Sequence, residues 1–255
     1  MKAIITAAGL GTRSGLNGII RKELLNVYDF RDGSLVLRPM IDVLIHKLQE
    51  SLIKEIAVVI DPDDLFSRNY LKSAYPSVST FFQREKRGFG NAVLCAKDFV
   101  DEGGVIVAAG DGIIINFESV VPYIQNSLKE KIWTLFVMKV EEPSRYGVAV
   151  LEGDSSPYRV IDVLEKPKKP PSDYALCAFY YLPSEIFNFI PATKEKAELT
   201  EAIGSAIRSG IKFAAVEIPK ESWVSVGVAD DYRLVLESTY QYSMKISGNN
   251  SKSKA

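Results

Sequence analysis

Near its amino terminus the chain reads Ala7-Ala8-Gly9-Leu10-Gly11-Thr12-Arg13. Glycines in such a run let the backbone approach a ligand closely and present successive N–H groups to an anion. Two cations follow, Arg13 and Lys22. A polyphosphate at this turn calls for both kinds, arginine as a bidentate fork and lysine as a point charge. Two common phosphate-binding patterns fit poorly. The dinucleotide fingerprint has its last glycine where Ser14 stands, and no Gly-Lys-Ser/Thr of a P-loop follows. A purely structural glycine turn uses the same residues, and either cation alone suits a solvated surface. The single histidine, His46, rules out a multi-histidine zinc site, and it lies within an apolar helical pattern where a structural or surface role is the ordinary one. Cys95 and Cys177 are too few for a disulfide scaffold and are not spaced as metal ligands.

The elements around these residues alternate. Residues 2–6 form a short apolar run ending in the glycines, the pattern of a buried strand. Pro39 opens a periodic helical segment through Met40, Val43, Leu44 and Leu48. Residues 56–60 read as a second strand, 61–75 as a helix capped by Asp61, 79–83 as a third strand, 90–99 as a helix and 105–109 as a fourth strand. Strands separated by helices imply parallel βαβ units and a sheet covered on both faces. Beyond Phe117 the pattern changes: 132–140, 147–151, 160–164 and 176–182 are strand-like with few helices between them, an antiparallel or mixed extension. Helices return at 184–190 and 200–209, then a strand at 213–216 and a last helix at 230–244. Residues 1–246 read as one domain, and the polar run 247–255 as a tail without structure.

With 255 residues, 31 basic and 32 acidic side chains, the chain has a formal charge of −1. That balance excludes a nucleic-acid binder driven by phosphate neutralisation and a polybasic membrane-surface protein. No apolar run reaches the length of a membrane span, and residues 1–6 are too short for the core of a signal peptide. The expectation is a reduced, cytoplasmic protein without nucleic-acid or membrane partners.

The glycine-rich run, followed by Lys22-Glu23-Leu24-Leu25-Asn26-Val27-Tyr28-Asp29, resembles the signature of sugar-1-phosphate nucleotidylyltransferases. Within them the pattern is most similar to bacterial-type UTP–glucose-1-phosphate uridylyltransferases, with thymidylyltransferases close behind. Gln83 with Gly88-Phe89-Gly90-Asn91-Ala92-Val93-Leu94-Cys95-Ala96 resembles the base-binding segment, and Gly110-Asp111 the metal aspartate. Arg145-Tyr146-Gly147-Val148 and Glu165-Lys166-Pro167 resemble the sugar-phosphate segments, and Glu198-Leu199-Thr200-Glu201-Ala202-Ile203 the late helix. The likeness runs from residue 3 to about residue 240. It implies a Rossmann-like nucleotide-diphospho-sugar transferase fold: α/β, a mixed, mostly parallel sheet flanked by helices, with a smaller antiparallel sugar-binding extension.

The resemblance also implies a reaction. A sugar-1-phosphate oxygen attacks the α-phosphorus of UTP or dTTP, and pyrophosphate leaves. Ala8, Gly9 and Gly11 pack against the nucleotide, Arg13 neutralises the β- and γ-phosphates and Lys22 the α-phosphate. Gln83, with an acceptor and two donors, matches the O4/N3–H edge of uracil or thymine, and Gly88 adds backbone contacts where a side chain would clash. Asp111 holds Mg2+, which favours oxygen ligands and bridges phosphates. Gly147 and Glu165 face the sugar, and Lys166 holds its phosphate. Relatives of this kind often form dimers or tetramers, so a homo-oligomer is an expectation.

The chain departs from the family pattern in places. In Trp223-Val224-Ser225-Val226-Gly227, Ser225 stands where the family carries a second metal-binding aspartate. Ala178-Phe179 replaces the usual Gly-Arg, which brings the sugar contacts into question. An insertion-like stretch, 30–38, contains a turn at Arg31-Asp32-Gly33. These departures support an alternative, a catalytically weakened relative that binds a nucleotide or sugar nucleotide for regulation. Retention of Arg13, Lys22, Asp111 and Lys166 favours the enzyme.

Overall fold

The computed structural model describes residues 1–16, 19–51, 53–130, 132–193 and 195–252. In chain order the elements are β1 (Lys2–Ala7), β2 (Asn26–Arg31), β3 (Ser34–Pro39), α1 (Met40–Glu50), β4 (Glu55–Ile60), α2 (Leu65–Ala74), β5 (Ser79–Phe82), α3 (Phe89–Leu94), β6 (Gly104–Ala109), β7 (Gly112–Ile114), α4 (Val121–Glu130), β8 (Trp133–Lys139), β9 (Gly147–Glu152), β10 (Tyr158–Glu165), β11 (Tyr174–Pro183), α5 (Leu199–Arg208), β12 (Phe213–Glu217), β13 (Trp223–Ser225) and α6 (Ala229–Lys252).

A nine-stranded sheet, ordered β5-β4-β1-β6-β11-β8-β12-β10-β9, forms the centre. β5, β4, β1 and β6 run parallel. β11 enters antiparallel between β6 and β8, and β10 pairs antiparallel with β9 and β12. The sheet is therefore a parallel half joined to a mixed, mostly antiparallel half. Both of its faces are buried. Along β1, Ala3, Ile5 and Ala7 enter one core layer with Ile41, Leu44 and Leu48 of α1, while Ile4 enters the other with Val93 of α3 and Ile203 of α5. This two-sided burial explains why the strands read as continuous apolar runs rather than alternating ones.

Several elements differ from the sequence reading. Asp64, not Asp61, caps α2, its side chain accepting from Ser67 N at 3.0 Å. Asp61 pairs instead with Arg21 and Lys86. The stretch read as an insertion with a turn is a complete hairpin of β2 and β3. Its two-residue loop, Asp32-Gly33, has φ of 52° and 79°, the left-handed pair that matches strand twist. Helix α6 covers this hairpin: Tyr28 packs edge-on against Tyr240 at 5.1 Å, and Tyr232 Oη donates to Asn26 O. Helix α4 was not legible, and 184–190 holds a 3-10 helix, Ser184–Phe189. Helix α6 continues to Lys252, into the run read as a tail; residues 253–255 lie outside the described residues. Among the described residues no helix is long and apolar enough to cross a membrane.

Candidate active site

The four parallel strands deliver chemistry at their carboxyl ends. β1 leads into Ala8 and the glycines, β4 into Asp61, β5 into Gln83, and β6 into Gly110-Asp111. Ligands of open α/β sheets bind in this crevice because the chain leaves each strand there with unpaired backbone groups and free side chains. Two cavities occupy it. One, of about 400 Å³, is lined by Ala8, Gly9, Thr12, Glu23, Gln83, Lys86, Gly88 and Asp111. The other, of about 290 Å³, is lined by Lys22, Asp111, Arg145, Gly147, Glu165, Lys166, Ala178, Glu198, Thr200 and Ser225. Asp111 and Phe89 border both.

At the junction Lys22 Nζ lies 2.6 Å from Asp111 Oδ2 and donates to Val226 O at 2.7 Å. Lys22 is 8% exposed, so its charge is held by fixed partners rather than by water. Glu23 beside it is also buried, and its Oε2 has no hydrogen-bond partner. Burial, reinforced by the negative charge of Asp111, pushes its carboxyl up to about 8. Glu23 packs against Gly110, where an added Cβ would meet its Cγ at 3.0 Å.

The glycine-rich loop is tied down from behind. Buried Arg21 donates to Gly9 O at 3.0 Å and pairs with Asp61 at 3.1 Å and Asp64 at 3.4 Å. Lys86 closes on Asp61 at 2.7 Å. Burial acts to raise the Asp61 pKa, but the Lys86 hydrogen bond, the Asp63 N–H and the charges of Lys86 and Arg21 outweigh it and hold the carboxyl below its ordinary value. Gly9 lines the cavity, and a Cβ there would meet no protein atom within 4 Å. Gly11 shapes the loop instead, with φ +62° at the cap of the turn Thr12–Ser14, and does not border the cavity. The Arg13 side chain lies outside the described residues.

Gln83 lines the larger cavity with its amide nitrogen held by the protein. Its Nε2 donates to Gly88 O at 3.1 Å and to Asn91 Oδ1 at 2.9 Å, so both amide hydrogens are used within the protein. It can offer the cavity only an acceptor, not an acceptor and two donors. Gly88 is also required by the fold itself: φ is +99°, and a Cβ would meet Ala197 O at 2.9 Å. On the second cavity's wall Glu165 pairs in register with Gly147 across β10 and β9. A Cβ at Gly147 would lie 2.9 Å from Thr200 Oγ1, so glycine lets α5 close against this ladder. Lys166 follows in a left-handed conformation, φ 42°, with Nζ 3.2 Å from Glu165 Oε1. Ala178 borders the cavity, whereas Phe179 is a core residue packed edge-on against Phe117 and Phe136.

Ser225 stands opposite Gly112 in the β13–β7 ribbon, one residue from Asp111, and Val226 N donates to Asp111 O at 3.0 Å. Asp231 also lines the second cavity. Its Oδ2 accepts from Gly227 N and Val228 N at the start of α6. Around Asp111 the cavities carry the Ser225 hydroxyl and further carboxylates at Glu23, Glu165, Glu198 and Asp231. Magnesium takes one or two carboxylates and fills its remaining positions with water and substrate phosphates, so this set fits the ion. The sequence reading assigned no role to Glu23, Arg21, Lys86, Glu198 or Thr200, all brought to the site by tertiary packing.

The model of the family described as "Nucleotidyl transferase" matches residues 2–241. The chain belongs to the nucleotidyl transferase family. Among its relatives, the UTP–glucose-1-phosphate uridylyltransferase AglF of Haloferax volcanii is 27% identical over 238 residues, covering 91% of this chain and 93% of that one. UTP–glucose-1-phosphate uridylyltransferase 1 of Streptococcus pyogenes serotype M3 is 31% identical over 252 residues, covering 84% and 80%. A UTP-bound UDP-glucose pyrophosphorylase structure from Acinetobacter baumannii shares this nucleotidyl transferase's fold, with a TM-score of 0.77 at 22% identity and 97% of each chain covered.

Proposed function

We propose that this nucleotidyl transferase moves the uridylyl group of UTP to glucose-1-phosphate, releasing pyrophosphate. The observation that carries this reading is the Lys22–Asp111 pair at the meeting point of the two cavities. The larger cavity suits the triphosphate. Its glycine wall at Gly9 has no packing reason to lack a side chain, and a nucleotide lying against it supplies one. Gln83 Oε1 accepts from the N3–H of uracil. The second cavity suits the sugar phosphate, with Glu165 accepting from sugar hydroxyls and Lys166 orienting the phosphate. The transferring phosphorus then lies between them, where Lys22 meets the charge that develops on the α-phosphate.

No covalent enzyme intermediate is needed for such an in-line displacement. The protein's task is alignment and charge stabilisation. Asp111, with Ser225 beside it, would hold Mg2+, which would supply further neutralisation of the triphosphate. Lys22 is poised by Asp111 and Val226 O, so its ammonium group is already oriented and needs little rearrangement as charge moves. Arg13, from the loop, is the proposed partner of the β- and γ-phosphates. The test is pyrophosphate release across a matrix of nucleoside triphosphates and sugar-1-phosphates with Mg2+. UTP with glucose-1-phosphate is expected to be the best pair, dTTP the nearest competitor. Measurable UTP binding without pyrophosphate release from any pair would instead support a regulatory, binding-only protein, the reading that Ser225 favours.

A further inference from the structure

We propose that Asn91 is a positioning residue that sets base selection, by locking the Gln83 carboxamide with Oε1 toward the nucleotide cavity. The inference rests on the reading of that cavity as a uridine-nucleotide site and names the device that makes it selective. Gln83 is 4% exposed and Asn91 6%, so the contact between the two amides is shielded from water. Gly88 O, 3.1 Å from the Gln83 amide, can only accept a hydrogen bond. The atom facing it is therefore the nitrogen. The second hydrogen of that nitrogen goes to Asn91 Oδ1 at 2.9 Å. Asn91 is itself fixed on α3, its backbone N–H donating to Ala197 O at 3.2 Å. With the nitrogen held twice on the protein side, the oxygen is the atom left for the ligand. An oxygen accepts from the N3–H of uracil or thymine and repels the unprotonated N3 of cytosine. A flipped amide would reverse that preference.

The test compares kcat/KM for UTP and CTP in the wild type, Asn91→Leu and Asn91→Asp. Leucine fills the volume but cannot accept, whereas aspartate keeps an acceptor at the same place. The expected result is a UTP/CTP ratio about tenfold lower in Asn91→Leu and near the wild-type value in Asn91→Asp, the size of one net hydrogen bond. If Asn91→Leu does not fold, Asn91→Ala carries the same comparison. A residue that only packs would lower both values together, so an unchanged ratio in the variant lacking the acceptor overturns the proposal. An equal fall of the ratio in Asn91→Asp overturns it as well. A wild-type protein that turns over neither UTP nor dTTP defeats the reading of the cavity itself, before any variant is compared.

Discussion

Glu23 is an acidic residue in an environment that opposes its charge. A buried carboxyl with an unpaired oxygen beside Asp111 is neutral near pH 7 in the folded chain and ionised in the unfolded one. Its folded pKa is raised, so the folded state binds the extra proton between about pH 4.5 and 8. Stability in metal-free buffer is therefore lost as pH rises through that window. Glu23→Gln removes the titrating group and should reduce this loss by about 2 kcal/mol, read by urea unfolding at pH 5 and pH 8. A wild type and variant with parallel pH profiles would contradict the assignment. Ser225 gives a second prediction. Its register beside Asp111 means Ser225→Asp adds a charge next to the proposed metal position, so the Mg2+ concentration for half-maximal rate should fall about tenfold. An unchanged titration would remove the link. Lys22, Asp111, Gln83, Gly147, Glu165 and Lys166 were legible as candidates because each stands in a short local pattern. Glu23 follows Lys22 in one of those patterns, yet its character comes from being enclosed under Gly110, which no local pattern records.

At the scale of elements, the glycine-rich loop depends on a latch that joins three segments. Arg21 precedes the Lys22 turn, Gly9 belongs to the loop after β1, and Asp61 and Asp64 follow β4. Removing the guanidinium leaves buried Asp64 without its cation and Asp61 with Lys86 alone, which costs more than the pair contributes when intact. Arg21→Met is expected to lose about 3 kcal/mol of stability and to raise KM for UTP, because the loop loses its anchor at Gly9 O. Equal unfolding midpoints and an unchanged KM would show that the latch is dispensable. The latch also shifts the cap of α2 away from the position that composition predicts. Asp61-Pro62 is a good helix start by composition, but Asp61 is drawn to Arg21 and Lys86, and Asp64 takes the cap. The β2–β3 hairpin was missed for a different reason. Its Asp32-Gly33 turn is visible in the sequence, but β3 is mostly exposed and β2 finds its burial through long-range packing, Val27 against Met40, Val43 and Ile113 and Tyr28 against Tyr240 of α6.

Across the whole molecule the sheet divides the labour. Parallel strands β5, β1 and β6 end at the larger cavity; β9, β10 and β11 with α5 wall the smaller one; Asp111 after β6 stands where the two meet. The parallel half was readable from buried strands separated by helices. The mixed half could be sensed only as a change of pattern, since the order β11-β8-β12-β10-β9 is set by long-range pairing. This division puts the proposed chemistry at the junction. The direct measurement is phosphorus NMR of UTP and glucose-1-phosphate with Mg2+, run with the wild type and Lys22→Ala. The account predicts that UDP-glucose and pyrophosphate appear together with the wild type and about 10²–10³ more slowly with the variant, which keeps UTP binding. UTP left intact by the wild type, or equal rates for the two proteins, would contradict it.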